Sequence, residues 1–259
     1  MKKLTEAATN TIPAIAEKLE NIRAHMVILQ YHLLQNRAEI KDVSGRVDWN
    51  LPLVKEYQSV KRELKAKQEE RKALEKTKGS TGILNAVQHV QLSRQITTLT
   101  EEIEELKTRK NLLMHQVGCQ NDVEMKQAEG TLSKMRDYLE KLNEQQPKLS
   151  GQLAADEEKF RETKEKVSPD EEDALLTARA ALRTDQQVAV RSKLQEVFGR
   201  KYNSDLLLKA SEQVDQKTGD DADKMKARRS QLYQEQEAER SREQQQQRSK
   251  PKKQRDFEL

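Results

Sequence analysis

Four histidines, one cysteine and a large supply of carboxylates are the side chains in this 259-residue sequence equipped for catalysis or metal binding. His25, His32, His89 and His115 form no His-x-His pair, no His-Glu-x-x-His helix and no Cys/His cluster, the spacings that gather ligands around a zinc ion. His25 and His32 are seven residues apart, so on a helix they project from one side. A metal there would need ligands from a second helix, and the two read better as surface or seam-flanking side chains. Cys119 is the only cysteine, which excludes an internal disulfide and fits a reducing, cytoplasmic compartment. No cluster of basic groups in the sequence activates it, so it reads as an inert thiol. Runs such as Glu101-Glu102-Ile103-Glu104-Glu105 offer paired carboxylates, but on a helix they form an ordinary polar face. Acid–base carboxylates are tuned by water-excluding pockets, which such a face lacks. Gly79-Ser80-Thr81-Gly82 lacks the Gly-Lys-Ser/Thr ending of a phosphate-binding loop. The expectation is a protein without catalysis, metal or cofactor.

The C-terminal segment has a different chemistry. Arg248, Lys250, Lys252, Lys253 and Arg255 place five positive charges within eight residues. Such a segment contacts phosphates and releases counterions, a salt-sensitive attraction that ignores sequence. It serves equally as a solubilising tail. Lys226, Arg228 and Arg229 form a smaller basic group upstream, and no interleaved aromatics offer base stacking. Residues 219–259 carry few large apolar groups, a run of four glutamines at Gln244–Gln247 and dense charge. They read as a charged, mostly disordered tail, with fraying helix to about Ser241.

The elements that would position these groups are helices. Charged residues make up 36% of the chain, apolar residues 34% and aromatics 3%, so narrow helical seams replace one broad core. The net charge of +4 is small, and both signs interleave as on a solvated helical surface. Ile12, Ile15, Leu19, Ile22, Met26, Leu29, Leu33, Asn36 and Ile40 fall on alternating steps of three and four, continuing through Val43 and Val47. This stripe, with Asn36 its one polar step, predicts a helix of roughly 54 Å that buries against another helix. A polar residue in such a seam fixes register at a cost in stability.

After a flexible leader over 1–10, the spacing predicts first coiled-coil helices over 11–78, a Gly-rich loop over 79–86 and a second coiled-coil region over 87–147. C-terminal helices follow over 148–218, and the charged tail over 219–259. Gly45 and Asp48-Trp49-Asn50-Leu51-Pro52 suggest a helical corner plugged by Trp49, and Pro147 a break or kink. Short loops imply antiparallel neighbours, with a hairpin about Gly79–Gly82. Ser168-Pro169-Asp170-Glu171 is the clearest helix start, a capping box with Pro at the first position. No uninterrupted apolar stretch approaches 18 residues, so no membrane span is expected. The fold class is all-α: long helices in coiled-coil hairpins with a disordered basic tail. Partners would be proteins or a second copy, gripped through the seams, and DNA through the tail.

The runs Ile12-Pro13-Ala14-Ile15-Ala16-Glu17-Lys18-Leu19, Met26-Val27-Ile28-Leu29-Gln30-Tyr31 and Gln35-Asn36-Arg37 resemble the helical C-terminal regions of bacterial mobilization relaxases. Leu92-Ser93-Arg94-Gln95-Ile96 and Leu99-Thr100-Glu101-Glu102-Ile103-Glu104-Glu105-Leu106 are similar to the same regions. Relaxases nick and lead plasmid or integrative-element DNA during conjugation. Their nuclease domain uses a tyrosine nucleophile and a His-x-His metal cluster, neither of which has a counterpart here, so no catalytic residue carries over. The resemblance implies a detached relaxase tail, or an accessory protein of that architecture, with a role beside DNA.

Overall fold

The computed structural model describes residues 11–80 and 85–249, with side chains as far as residue 242. It is all-α, with no strand among the described residues: α1 (Ile12–Ser80), α2 (Ala86–Val117), α3 (Asp122–Lys164), α4 (Glu172–Phe198), α5 (Ser204–Thr218) and α6 (Ala222–Ser249). Short 3-10 turns at Pro169–Glu171 and Gly199–Lys201 flank α4. No described helix is long and apolar enough to cross a membrane.

Helix ends follow local chemistry. Gly118 takes a left-handed φ of 82° and closes α2 by donating its N–H to the His115 carbonyl. Asn121 then caps α3, its Oδ1 accepting the N–H of Val123 at 3.0 Å and of Glu124 at 2.9 Å. The expected capping box is present: Glu171 accepts from the Ser168 N–H at 3.1 Å and its Oγ at 2.8 Å. It opens the 3-10 turn that leads into α4. Asn203 caps α5 by accepting from Asp205 and Leu206, and Gly219 ends it at a left-handed φ of 65°.

The corner expected at Gly45–Pro52 is corrected, whereas Pro147 falls inside a helix that continues past it, so it makes no break. The helix does not turn at Gly45–Pro52; α1 runs 69 residues without interruption, about 104 Å at 1.5 Å per residue. Pro52 removes one N–H on the exposed side, where water reaches the orphaned carbonyl, and Asn50 Nδ2 donates to the Arg46 carbonyl at 2.8 Å. Buried Val47 and Val54 pack on either side of the proline and hold the helix in phase. Trp49 is 71% exposed rather than plugging a corner. Pro147 lies inside α3, with Leu142 and Leu153 buried on either side of it. Helix runs over Ala222–Ser249 as α6, about two turns past the fraying helix expected to Ser241. Its start is anchored by Met225, 3% exposed, and its remainder is rich in Gln, Glu and Arg, good helix formers. The leader 1–10, residues 81–84 of the Gly-rich loop and residues 250–259 lie outside the described residues.

The chain divides into two compact units, one of residues 1–37 with 145–259 and one of Ala38–Glu144. In the second, Val47, Val54, Tyr57, Val60 from α1, Leu113 and Met114 from α2, and Met125 and Leu132 from α3 form the core. Lys67 pairs with Glu102 at 2.9 Å and Glu56 with Arg109 at 2.6 Å, which sets α1 and α2 antiparallel. In the first unit, α1 is the buried axis. Ile15, Leu19, Met26, Leu29, Tyr31 and Leu33 join Leu153 and Phe160 of α3, Leu175, Val190 and Leu194 of α4, and Ala210 and Val214 of α5.

Candidate functional site

The structure brings the predicted seam together, and inside the chain. Ile15, Leu19, Met26, Leu29, Leu33 and Asn36 are buried, and Ile12, Ile22 and Ile40 half-buried. The buried surface of α1 is wider than the seam. Ala16, Glu20, Arg23, Ala24, Val27, Gln30 and Tyr31 are buried as well. At 100° per residue these positions cover roughly two thirds of the helix circumference, far more than a two-stranded seam requires. Of the side chains read as an association face between two helices, Ile12 to Leu33 therefore join the first unit's own core.

The charges inside that core are what the sequence reading missed. Glu20 is 0% exposed, Arg23, Arg179 and Arg183 are 3% exposed, and Asp220 is 4% exposed at its side chain. Glu20 Oε1 accepts from Arg179 Nε at 2.8 Å and Arg183 Nη2 at 2.9 Å, and its Oε2 lies 2.7 Å from Arg183 Nε. Arg179 grips Asp220 with both prongs, Nη1–Oδ1 at 2.8 Å and Nη2–Oδ2 at 2.5 Å, and Arg183 adds a bond to the same Oδ2 at 2.9 Å. Asp215 Oδ1 accepts from Arg23 Nε at 2.7 Å and Arg183 Nη1 at 3.2 Å, while Arg23 Nη2 reaches Ser211 Oγ at 2.9 Å. The Phe160 ring from α3 sits 5.1 Å under the Arg179 guanidinium.

Three guanidiniums and three carboxylates balance, and they tie α1, α3, α4, α5 and the turn before α6 to one another. Burial alone would raise the Asp220 carboxyl; the Arg179 and Arg183 guanidiniums overcome it and hold it down at about 2. Burial works against the Arg179 charge, and the carboxylates of Asp220 and Glu20 outweigh it and raise its pKa. Removing one partner would strand an uncompensated charge in a dry core, so the network demands one arrangement of these helices. The sequence signals were Arg179 and Arg183 one turn apart among Leu175, Ala180 and Leu182, and Glu20 with Arg23 beside the seam.

The second unit has a smaller polar centre. Tyr57, 1% exposed, donates its hydroxyl to Asp122 Oδ1 at 2.9 Å. Lys110 Nζ lies 2.7 Å from the same carboxylate and Lys61 Nζ 3.6 Å from it. The Lys110 contact lowers the Asp122 pKa, aided by the Tyr57 hydroxyl. Burial, then the bond to Asp122, pushes the Tyr57 phenol up. Tyr138 donates to Glu39, and its phenol is pushed up to about 12, chiefly by that bond.

Among the remaining reactive groups, His25 Nδ1 pairs with Asp156 at 2.5 Å. The His32 ring packs 4.8 Å from Phe198, and burial lowers its pKa. His89 and His115 are exposed. Burial raises the Cys119 thiol, which disfavours the thiolate. Among the described residues no three His, Cys, Asp or Glu side chains converge to hold a metal ion. A cleft of about 350 Å³ between α1, α4 and α5 is lined by Val27, Val190, Leu207, Ser204, Ser211 and Arg23. No histidine, cysteine or carboxylate lines it.

Of the basic residues, Arg228 donates to Thr177 Oγ1 at 2.8 Å and to Asp173, and Arg229 reaches Gln187 at 3.4 Å. Both help dock α6 on α4. Arg248 lies on the last turn of α6, and Lys250, Lys252, Lys253 and Arg255 lie outside the described residues. Compared with known proteins, the chain matches no family, no curated protein and no solved structure.

Proposed function

We propose that this chain is a non-catalytic helical interaction protein, cytoplasmic, with an accessory role in conjugative DNA mobilization. One observation carries the first part. The titratable side chains that reach the interior are engaged with one another, in the Glu20–Arg179–Arg183–Asp220 network and in the Tyr57–Asp122–Lys110 group, where they fix helices instead of facing a substrate. The mobilization role rests on the sequence resemblance to relaxase tails and on the basic run Arg248–Arg255, whose charges match a phosphate backbone. The cytoplasmic assignment rests on the lone Cys119.

A second reading is a structural scaffold with no nucleic-acid contact. It is favoured by Arg228 and Arg229, which dock α6 internally. Duplex binding separates the two. The full chain is compared with a variant carrying Gln at Arg248, Lys250, Lys252, Lys253 and Arg255. The mobilization reading expects binding by the first and a loss of roughly tenfold or more in the second at low salt. Equal binding, or none by either, favours the scaffold.

A further inference from the structure

The Ile40–Val43–Val47 side of α1 faces inward, with Val47 6% exposed. About half a turn away around the helix lies a second stripe, Ala38, Asp42, Gly45 and Trp49, also spaced by four, three and four, and all four residues are exposed. Trp49 is 71% exposed, and a Cβ placed on Gly45 would meet nothing within 4 Å. Beside the indole is an open hollow of about 620 Å³, floored by Ala38 and Gly45. A large aromatic at one end of the stripe and a small residue at the other are the two halves of a knob-and-hole contact.

We propose that this face binds a second copy of the same chain, with the two α1 helices antiparallel and a two-fold axis midway between Asp42 and Gly45. That axis seats each Trp49 over Ala38 of the second copy and each Asp42 over its Gly45, the layering expected where two antiparallel seams meet. The flanks agree in charge. Lys41 and Asp48 are both exposed and form no ion pair within the described chain, and the axis brings each Lys41 to Asp48 of the second copy, twice per dimer. On the opposite flank Arg46 is held by its own Asp42 at 3.0 Å, which keeps the Asp42 charge compensated as Gly45 approaches. Complementary flanking charges select orientation in paired helices, and here they select antiparallel self-pairing. This goes beyond the mobilization role and does not depend on it.

Sedimentation of the full chain over a dilution series tests the proposal, with emission of Trp49, the only tryptophan, read in parallel. The expected mass rises from 30.0 kDa toward twice that value, and the emission shifts to shorter wavelength in step. Trp49→Ala, helical by circular dichroism, should stay at 30.0 kDa. Lys41→Glu and Asp48→Lys should each weaken the dimer roughly tenfold, and the double swap should restore it. A mass that stays at 30.0 kDa at every concentration, a dimer indifferent to Trp49→Ala, or a double swap that fails to restore association overturns the proposal.

Discussion

Arg179 of α4 meets Asp220 as a two-pronged pair, Nη1–Oδ1 at 2.8 Å and Nη2–Oδ2 at 2.5 Å, with both side chains 4% exposed. The pair closes the turn between α5 and α6 onto α4, and Arg183 and Glu20 extend it to α1. Substituting Asp220→Asn should cost roughly 3–5 kcal/mol, because two buried guanidiniums lose the charge that balances them. Urea unfolding at neutral pH measures the loss. Unchanged stability would mean that the network is slack.

The same carboxyl predicts a pH dependence. Its folded pKa of about 2 lies below its ordinary 3.8. Its contribution is therefore complete above about pH 5 and is lost as pH falls through 2, below which folded and unfolded forms are both protonated. The contribution is about 2 kcal/mol. Unfolding curves at pH 5, 4 and 3 should show wild type losing stability toward acid more steeply than Asp220→Asn. Parallel curves would remove Asp220 from the acid response.

Inside and outside of α1 should respond oppositely to truncation. Leu19 is 0% exposed and Trp49 is 71% exposed. Leu19→Ala should cost roughly 2–5 kcal/mol by leaving a cavity among α1, α3, α4 and α5. Trp49→Ala should change the stability of a single chain by no more than about 0.5 kcal/mol. Thermal melts at low protein concentration compare them.

In the second unit, Tyr57→Phe keeps the ring in its core and deletes only the bond to Asp122. A loss of about 1 kcal/mol is expected. Denaturant titration checks it, and a gain in stability would show that the hydroxyl is strained in place.

The Cys119 thiol, raised by burial, should react with a disulfide reagent at pH 8 more slowly than free cysteine does. A faster reaction would reveal an activating environment and reopen the question of chemistry at this residue.

The sequence was most informative where the signal was local and periodic. The Ile12–Ile40 stripe and the Ser168–Glu171 box appear where spacing and turn chemistry placed them. Pro52 misled because a proline costs a single hydrogen bond that solvent can replace on an exposed side, while packing on the opposite side continues. Glu20, Arg179 and Arg183 misled for the converse reason. Charges on a helix are read as solvated unless their partners are known, and these partners lie 159 and 163 residues apart. The docking of α6 was obscured by composition, since Met225 is the buried apolar side chain among many charged neighbours and Arg228 and Arg229 supply the rest.

On the proposed mobilization role, the basic C-terminal run binds DNA phosphates while the helical body keeps its shape. The salt dependence of duplex binding tests it most directly. Five phosphate contacts from Arg248, Lys250, Lys252, Lys253 and Arg255 predict that log K falls with log salt at a slope of about 4.5, and that the slope nearly vanishes when all five are Gln, with helix content unchanged. A slope that stays the same after neutralising the run would rule out phosphate contact by these residues.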